Sequence, residues 1–229
     1  MRILVIGSGK MGRAVEALAL AAGHDVTVLG SKDNADARGI RERKGAVDAA
    51  VEFTEPGVAA ANAVACLESG IPVVVGTTGW YEQRDVVEQR ARDVNGALLI
   101  APNFSLGVAL ATEIARAAAA ILAPHPQFEA ALVETHHSAK KDAPSGTARS
   151  IGAAGEGSLG REIPITSVRV GSVPGTHTLI FDGPFEQIVI THEARDRRVF
   201  ADGALRAATW LAGRTGVFTM RDVTATPER

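Results

Sequence analysis

The sequence contains one cysteine, no long apolar run and no excess of charge of either sign, and each scarcity excludes a class of protein. Cys66 is the only cysteine in 229 residues, so no disulfide can form within the chain. No segment reaches the roughly 20 apolar residues of a membrane-spanning helix. The N-terminal run Arg2-Ile3-Leu4-Val5-Ile6 is too short for the core of a signal peptide. We therefore expect a cytoplasmic protein that has no membrane partner.

The charge balance predicts that nucleic acid is not a partner. The formal net charge is -2, with 46% hydrophobic and 22% charged residues. These proportions are those of an ordinary globular protein, whereas a polyanion-binding surface would need an excess of basic residues. The length allows one large domain or two small ones, and either has enough chain to bury its own core.

Short β-branched runs alternate with longer helical patterns over the first hundred residues. Gly23 and Gly70 stop two of the helical patterns, and Thr54 and Pro56 supply the capping hydroxyl and the proline that suit a helix start. This alternation predicts an α/β fold with a Rossmann-type doubly wound parallel sheet. Five strands are predicted, at Arg2–Ile6, Val26–Leu29, Ala49–Phe53, Pro72–Val75 and Ala97–Ala101.

Beyond Gly107 the pattern changes to strands with little helix between them, which predicts a second, α+β domain. The glycines of 152–160 predict a compact loop, and the last helical pattern, Ala204–Leu211, is expected to pack back on the first domain. We therefore predict a first domain at 1–106, completed by 204–229, and a second domain at 107–203. The predicted strands of the second domain are Phe128–Thr135, Ser167–Val170, Thr176–Phe181 and Gln187–Thr191.

A glycine-rich loop connects the first predicted strand to the first predicted helix. The first glycine allows a tight turn, the second lets the backbone approach a pyrophosphate, and the third lets helix and strand pack closely. The helix N-terminus also presents N–H groups and a partial positive charge to phosphates. The first domain is therefore predicted to bind a dinucleotide through the loop residues Gly7, Ser8, Gly9, Lys10, Met11 and Gly12.

The choice between NADH and NADPH depends on the residues that follow the second predicted strand. A carboxylate here usually binds the ribose hydroxyls of NADH, but the chain reads Leu29-Gly30-Ser31-Lys32. Ser31 and Lys32 could instead bind the 2′-phosphate of NADPH, although Lys32 could equally be solvated surface. Asp33 is near enough to keep NADH open. The expected cofactor is NADPH or NADH, with NADPH accepted at least as well as NADH.

The stretch from Glu134 to Ala148 concentrates titratable and positive groups. Such crowding is costly unless an anion offsets the charge, so an anionic ligand is expected. Ser145-Gly146-Thr147 predicts a helix start whose N–H groups suit a carboxylate. A small dicarboxylate would satisfy both features. The two imidazoles and two ammonium groups stand within six residues, at His136, His137, Lys140 and Lys141.

A zinc site is the weaker alternative for the same histidines. Zinc requires three or four converging ligands. His177 and His192 could join His136, but no Cys/His spacing supports such a site. We therefore predict that the chain binds no metal.

Motifs that together span essentially the whole chain occur in order: Gly7–Gly12, Val51-Glu52-Phe53-Thr54, Gly76-Thr77-Thr78-Gly79, Asn103-Phe104-Ser105, His136–Ala148, Gly175-Thr176-His177 and Phe200-Ala201-Asp202-Gly203-Ala204. The string from His136 to Ala148 is the most specific, whereas the glycine loop alone predicts only a dinucleotide binder. Together the motifs resemble those of the 4-hydroxy-tetrahydrodipicolinate reductases, or dihydrodipicolinate reductases, of bacterial lysine and diaminopimelate biosynthesis.

The resemblance implies NAD(P)H-dependent reduction of the dihydrodipicolinate ring to tetrahydrodipicolinate, with water lost from the hydroxylated ring before or during the hydride step. It also implies that the second domain binds substrate and forms a homotetramer. His136 resembles the acid/base position of the family and Lys140 its proton donor. The implied substrate contacts are His137, Gly146 and Thr147. The residues implied to line the nicotinamide side are Gly76, Thr77, Thr78, Pro102, Asn103, Phe104 and Ser105.

Two questions stay open at this stage. Hydride addition to a conjugated imine leaves an enamine that an acid must protonate, and either Lys140 or protonated His136 could be the donor. Lys140 could equally serve only to bind a carboxylate. The rival functions are a related imine or aldehyde reductase and an NAD(P)-sensing regulator with a Rossmann fold, and a regulator is expected to lack the cluster of histidine and lysine residues.

Overall fold

The computed structural model of the chain describes residues 1–225, which form two compact units. Unit 1 comprises Met1–Ser105 and the described residues from Arg198 on, and unit 2 comprises Leu106–Arg197. The last part of the predicted first domain, 226–229, lies outside the described residues. No helix within 1–225 is long and apolar enough to span a bilayer.

Strands and helices follow one another along residues 1–225 in a regular order. The strands are β1 (Arg2–Ile6), β2 (Asp25–Leu29), β3 (Ala49–Glu52), β4 (Val73–Val75), β5 (Ala97–Ile100), β6 (Glu129–His136), β7 (Ile165–Arg169), β8 (Thr176–Asp182), β9 (Gln187–Glu193) and β10 (Gly216–Phe218). The helices are α1 (Lys10–Ala21), α2 (Arg38–Arg41), α3 (Pro56–Glu68), α4 (Arg84–Asp93), α5 (Leu106–Leu122), α6 (Gly146–Leu159), α7 (Arg198–Leu211) and α8 (Met220–Ala225). Short 3₁₀ turns precede α2 and α4.

Unit 1 is built on a six-stranded parallel sheet in the order β10-β5-β4-β3-β1-β2. Strands β3, β4 and β5 are buried along their whole length, as expected when helices cover both faces of a parallel sheet. Helix α1 packs on α7, and α3 packs on α4. The chain leaves β1 toward β2 on one side and returns to β3 on the other, so the order reverses between β1 and β3. The predicted doubly wound sheet is confirmed.

The sheet has one strand more than the sequence predicts. Strand β10 pairs with β5 at the edge, where the Gly216 N–H donates to the Gly96 carbonyl at 2.9 Å. A segment of three residues has no periodicity to detect, and only its pairing with β5 defines it as a strand. Helix α7 also begins earlier than predicted, at Arg198 rather than Ala204, and it packs against α1, β3, β4 and β5.

Helix α3 begins at Pro56 as expected, but Thr54 does not cap it. Glu55 occupies the N-cap position, and no side-chain cap bond forms there. The Thr54 hydroxyl donates instead to the carboxyl group of Glu52, which is fully buried. A buried acceptor without a partner is costly, whereas water can satisfy an exposed helix end, so the hydroxyl contributes more at Glu52.

Unit 2 contains a four-stranded mixed sheet in the order β7-β6-β8-β9. Strands β6 and β7 are parallel, and the other two pairs are antiparallel. Helices α5 and α6 pack on each other, and their buried side chains share an apolar core with Leu132, Leu179 and Phe181 of the sheet. The predicted α+β class is confirmed. Because β6 has a neighbour on each side and helices over it, the side chains on its covered face are enclosed.

The compact loop predicted for 152–160 is wrong, because helix α6 continues through it to Leu159. Gly152 and Gly155 are buried on the side of α6 that faces isoleucines near β7. A Cβ at Gly152 would lie 3.1 Å from Cδ1 of Ile165, and one at Gly155 would lie 2.7 Å from Cδ1 of Ile163. These glycines allow close packing rather than a turn, and the helix ends at Gly160, which adopts a left-handed φ of 74°.

Candidate active site

The glycine loop of unit 1 turns sharply between β1 and α1. Gly7 has a φ of 111°, and its N–H donates to the Leu29 carbonyl at 2.9 Å. A Cβ at Gly7 would lie 2.0 Å from the Phe53 carbonyl oxygen, and one at Gly12 would lie 1.8 Å from the Gly7 carbonyl oxygen. No side chain fits at either position. The first and third glycines therefore hold the loop tightly against β3 and α1.

The second glycine has a different environment. Gly9 is the N-cap residue of α1 and has no side-chain cap. Among the described residues, no atom beyond Gly9 itself, its chain neighbours and the adjoining helix backbone lies within 4 Å of the position that its Cβ would take. Ser8, Gly9 and Lys10 are exposed. The N-terminus of a helix with open space before it is suited to a phosphate group.

A cleft of about 480 Å³ in unit 1 brings two of the predicted cofactor segments together. Phe53, Thr54 and Pro56 also line it, although the sequence did not predict them as site residues. A Cβ at Gly76 would lie 2.1 Å from the Phe53 ring, so this glycine permits the ring to approach the loop. The predicted residues that line the cleft are Gly9, Lys10, Met11, Gly76, Thr77 and Thr78.

Hydrogen bonds hold the Gly76–Thr78 segment, which forms one wall of this cleft, in place. The Thr77 hydroxyl accepts from the Thr54 N–H at 2.8 Å, and its carbonyl accepts from the Trp80 indole N–H at 2.8 Å. Thr54 in turn donates to Glu52, whose carboxyl group has a raised pKa because it is buried. The Gly76–Thr78 segment therefore has a defined position before any ligand binds.

The other predicted cofactor contacts do not line this cleft. Pro102 is exposed, whereas Phe104 and Ser105 are buried. The Ser105 N–H donates to the Asn103 side-chain oxygen at 2.8 Å. The Phe104 ring meets the Phe53 ring edge to face, with the ring centroids 6.0 Å apart, so this segment packs behind a wall of the cleft.

The carboxylate of Asp33 lies at the end of β2, although the positions directly after the strand carry no acid. Ser31 and Lys32 are exposed. Residues 30–33 form a turn in which the Asp33 carboxylate accepts from the Gly30 N–H at 3.2 Å. The position of a Gly30 Cβ is 3.3 Å from that carboxylate oxygen and 3.4 Å from the Ser8 hydroxyl, so both groups converge beside the glycine loop. The turn therefore places the Asp33 carboxylate, which the sequence left as a possible ribose ligand, beside the glycine loop.

Strand β6 directs Leu132, Glu134 and His136 toward the same buried face of unit 2. Glu134 is fully buried, and its Oε1 accepts three hydrogen bonds. Burial favours the neutral acid, but the donors outweigh burial and lower the pKa of Glu134 to about 2. The donors are Ser145 N–H at 3.0 Å, Ser167 Oγ at 2.7 Å and Arg169 Nη2 at 2.8 Å.

The other oxygen of Glu134 faces two imidazoles. His136 Nδ1 lies 3.1 Å from Oε2, and His177 Nε2 lies 3.8 Å from it. The two rings meet edge to face with centroids 5.1 Å apart. Burial is the main reason that the pKa of His136 is lowered, and burial together with nearby His136 lowers that of His177 to about 4. His177 therefore stays neutral at physiological pH. From the sequence, His177 was assigned no role in catalysis, and alternation along β6 could have placed Glu134 beside His136.

Glu134, His136 and His177 each have a ligand-type atom within 4.8 Å of the other two. That proximity would suit a metal ion. However, the guanidinium of Arg169 already offsets the charge of the carboxylate. We assign no metal to this cluster, and its absence stays a prediction.

Lys140 carries a charge that the chain itself partly offsets. Its ammonium group donates to Asp142 at 2.8 Å. Asp142 and Glu134 therefore supply part of the negative charge that the sequence predicted a bound anion to supply. His137 is half-buried in the same loop, where its carbonyl accepts the Lys140 N–H at 3.1 Å.

The predicted helix start at Ser145 is present. Ser145 is the N-cap of α6, and its hydroxyl accepts the Ala148 N–H at 3.1 Å. Gly146 is exposed, and among the described residues no atom lies within 4 Å of its Cβ position. An anion can therefore approach the first turn of α6 from solvent.

Comparisons with known proteins match both units. The family described as dihydrodipicolinate reductase, N-terminus, matches residues 1–104, and the family described as dihydrodipicolinate reductase, C-terminus, matches residues 107–224. A 4-hydroxy-tetrahydrodipicolinate reductase from Christiangramia forsetii is 33% identical over 97% of each chain. One from Methanosarcina mazei is 37% identical over 79% of this chain and 74% of its own.

A solved structure has the same fold. The dipicolinate-bound dihydrodipicolinate reductase from Paenisporosarcina sp. TG-14 superposes with a TM-score of 0.82, covering 97% of this chain and 98% of its own, at 22% identity. At that identity the similarity supports the fold alone. The sequence matches, which span both units, are the evidence for descent. This chain belongs to the dihydrodipicolinate reductase family.

Proposed function

We propose that this chain is an NAD(P)H-dependent oxidoreductase that converts 4-hydroxy-tetrahydrodipicolinate, by way of dihydrodipicolinate, to tetrahydrodipicolinate in lysine and diaminopimelate biosynthesis. The observation that carries the proposal is family membership over both units. Two relatives named 4-hydroxy-tetrahydrodipicolinate reductase are 33% and 37% identical to this chain. Unit 1 is then the dinucleotide-binding part and unit 2 the substrate-binding part.

The glycine loop of unit 1 fits a dinucleotide. The tight contacts of Gly7 and Gly12 hold the turn and the start of α1 close together, and the open space at Gly9 admits a pyrophosphate to the start of α1. Bound NAD(P)H supplies the hydride. The segment Gly76–Thr78, fixed by the bonds to Thr77, lines the nicotinamide side of the cleft. We also retain Pro102–Ser105 as a proposed nicotinamide-side segment, although in unit 1 these residues pack behind the wall of the cleft.

Both NADPH and NADH are proposed as cofactors. The exposed ammonium of Lys32, with Ser31 beside it, is suited to a 2′-phosphate. The Asp33 carboxylate is suited to the two ribose hydroxyls of NADH and would repel a 2′-phosphate. Because groups of opposite preference lie next to each other at the end of β2, we expect modest selectivity rather than exclusive use of either cofactor.

Unit 2 has the groups that a ring with two carboxylates requires. We propose that the first turn of α6, at Gly146 and Thr147, binds one carboxylate, and that Lys140 and His137 bind the other end of the substrate. The solved relative from Paenisporosarcina is described as dipicolinate-bound, which supports a planar pyridine-2,6-dicarboxylate as a ligand of this chain.

Hydride addition to the conjugated imine leaves an enamine, and one proton completes the tetrahydro product. We propose His136 and Lys140 as the catalytic residues that deliver and relay this proton. Lys140 donates to Asp142 at 2.8 Å, and this hydrogen bond orients its ammonium group. His136, at the end of β6, is buried against His177 of β8, so little of its ring reaches solvent.

We propose that the chain forms a homotetramer through the sheet of unit 2. Strand β9 is an edge strand with largely exposed side chains, and Ile188 and Val189, on opposite faces of the strand, are 40% and 49% exposed. Phe185, in the turn before β9, is fully exposed. Apolar side chains on an open sheet edge favour self-association. Light scattering should give four times the 23.8 kDa chain mass. The cytoplasmic location stays a prediction.

A direct assay tests the proposed reaction. The purified chain is mixed with enzymatically generated 4-hydroxy-tetrahydrodipicolinate, and oxidation of NADPH and then of NADH is followed by absorbance. We expect turnover with both cofactors and none when the substrate-generating enzyme is left out. Turnover of other cyclic imines or aldehydes in a panel, without turnover of this substrate, would refute the proposed substrate while retaining a reductase.

A further inference from the structure

We propose that Glu134 is a positioning residue that orients His136 through its Nδ1 edge, so that Nε2 is the atom that exchanges the proton. The proposal rests on the catalytic role proposed above for His136. It goes beyond the family resemblance, which implies roles for His136, at the end of β6, and for the residues that follow it, but none for the carboxylate of Glu134.

The carboxylate is held rigidly. Its Oε1 accepts from the start of α6 and from two side chains of β7, so donors from two other elements fix the plane of the group. All of these bonds involve a side chain that is fully buried. A buried carboxylate with so many donors at one oxygen cannot rotate without losing them.

The remaining oxygen is available for an imidazole. Among residues 1–225, neither Glu134 Oε2 nor His136 Nδ1 has a hydrogen bond of good geometry, although the two atoms are only 3.1 Å apart. Both atoms are buried, and leaving them unpaired is costly. A small rotation of the His136 ring would complete the bond. Catalytic hydrogen bonds are often poorly aligned without ligand and tighten when substrate binds.

The opposite edge of the His136 ring, which carries Nε2, faces Gly175. A Cβ at Gly175 would lie 2.9 Å from Nε2 and 3.2 Å from Cδ2 of His136. Gly175 has a φ of 153°. The glycine therefore leaves room beside Nε2 that another residue would fill. With Nδ1 toward Glu134 and Nε2 toward Gly175, the two ring nitrogens have different roles.

His177 competes with His136 for the same oxygen, because a ring nitrogen of each imidazole lies within 3.8 Å of Oε2. His177 has a second partner, since its Nε2 lies 3.3 Å from the Ser145 hydroxyl, and His192 packs on its other side. The remaining charges that act on His136 are Lys140, Asp142 and Arg169. Glu134 and Asp142 raise the pKa of His136, whereas Lys140 and Arg169 lower it.

Two substitutions should therefore shift the pKa of His136 in opposite directions. Glu134→Gln removes the negative charge and should lower the pKa of His136. His177→Leu removes the competing imidazole from an environment that includes Leu132, Leu179 and Ile190, and should raise the pKa of His136. Ser167→Ala is the matched control, because it removes one donor to Oε1 and keeps the carboxylate.

The measurement is an NMR titration of the imidazole nitrogens in the full chain, with the His136 signals assigned by a His136→Asn variant. We expect wild-type His136 to carry its neutral-state proton on Nδ1, and this preference to weaken in Glu134→Gln. The kcat of Glu134→Gln should fall on the order of tenfold to a hundredfold, with little change in the Kd of NADPH. Ser167→Ala should retain both the tautomer and most of the kcat.

An unchanged tautomer and pKa of His136 in folded Glu134→Gln would overturn the proposal. If that variant does not fold, His177→Leu is the test. A pKa of His136 that does not rise in His177→Leu would show that the two imidazoles do not share Oε2, and the proposal would be overturned. Failure of the proposed catalytic role is distinguishable. In that case His136→Asn would retain wild-type kcat, whereas the NMR titration would still report whether Glu134 orients the ring.

Discussion

Lys140→Ala is the substitution that separates catalysis from stability most clearly. The ammonium group pairs with Asp142 at 2.8 Å, and the two side chains are 23% and 49% exposed. Exposed ion pairs of this kind contribute about 0.2–1 kcal/mol. The free energy of unfolding should therefore fall by less than about 1 kcal/mol, and the variant should remain folded at assay temperature.

The effect on turnover should be larger. If the ammonium binds a substrate carboxylate and assists protonation of the reduced ring, its loss removes an interaction that strengthens in the transition state. We expect kcat to fall by about 10²-fold or more, which corresponds to about 2.7 kcal/mol. The Kd of NADPH should stay near the wild-type value, because the glycine loop belongs to unit 1 and Lys140 to unit 2.

Steady-state kinetics with generated substrate, fluorescence titration of NADPH and urea unfolding would measure these three quantities. Lys141→Ala is the matched control, since that exposed lysine is the next residue and is expected to have near wild-type kcat. Lys140 also lowers the pKa of His136, so the pH profile of Lys140→Ala should move to higher pH if His136 is the proton donor. A raised KM with unchanged kcat would show that Lys140 only binds substrate, and the reasoning on protonation would be wrong.

The remaining predictions concern the cofactor, the substrate anion and acid stability. Lys32→Ala should lower kcat/KM for NADPH selectively, and Asp33→Ser should lower kcat/KM for NADH selectively. Equal losses of kcat/KM with both cofactors would contradict these assignments. Gly146→Pro removes an N–H donor at the start of α6 and should weaken pyridine-2,6-dicarboxylate binding in calorimetry, whereas Gly146→Ala, which has room for its Cβ, should not. The pKa of buried His177 is about 4 in the folded chain, below its usual 6.5, so the neutral form stabilises the fold above pH 6.5 and this contribution is lost as pH falls toward 4. His177→Leu should therefore lose less stability than wild type between those two pH values, and parallel unfolding curves would refute this.

Local sequence determined much of unit 1. The β-branched runs of β1 and β4 are apolar along their whole buried length, so their identity as strands follows from hydrophobicity and turn residues alone. The tight loop follows in the same way, because only glycine fits the positions of Gly7 and Gly12. Family motifs then identified the reaction, since the string from His136 to Ala148 stands in one continuous segment.

Tertiary structure decided the features that depend on residues far apart in sequence. Strand β10 is defined only by its partner β5, and Gly152 and Gly155 continue a helix because isoleucines near β7 pack against them. Linear spacing predicts a loop there, since glycine is a poor helix former where nothing packs closely on it.

The surroundings of the catalytic groups were likewise decided by the fold. Glu134 reaches Ser167 and Arg169 across a parallel strand pair, and it meets His177 across an antiparallel one. Asp33 returns to the end of β2 through a turn. Spacing along the chain gives residue types and the face of a strand or helix on which each residue lies. Burial and strand register decide which charged groups become neighbours. These neighbours set the pKa values on which the chemistry depends.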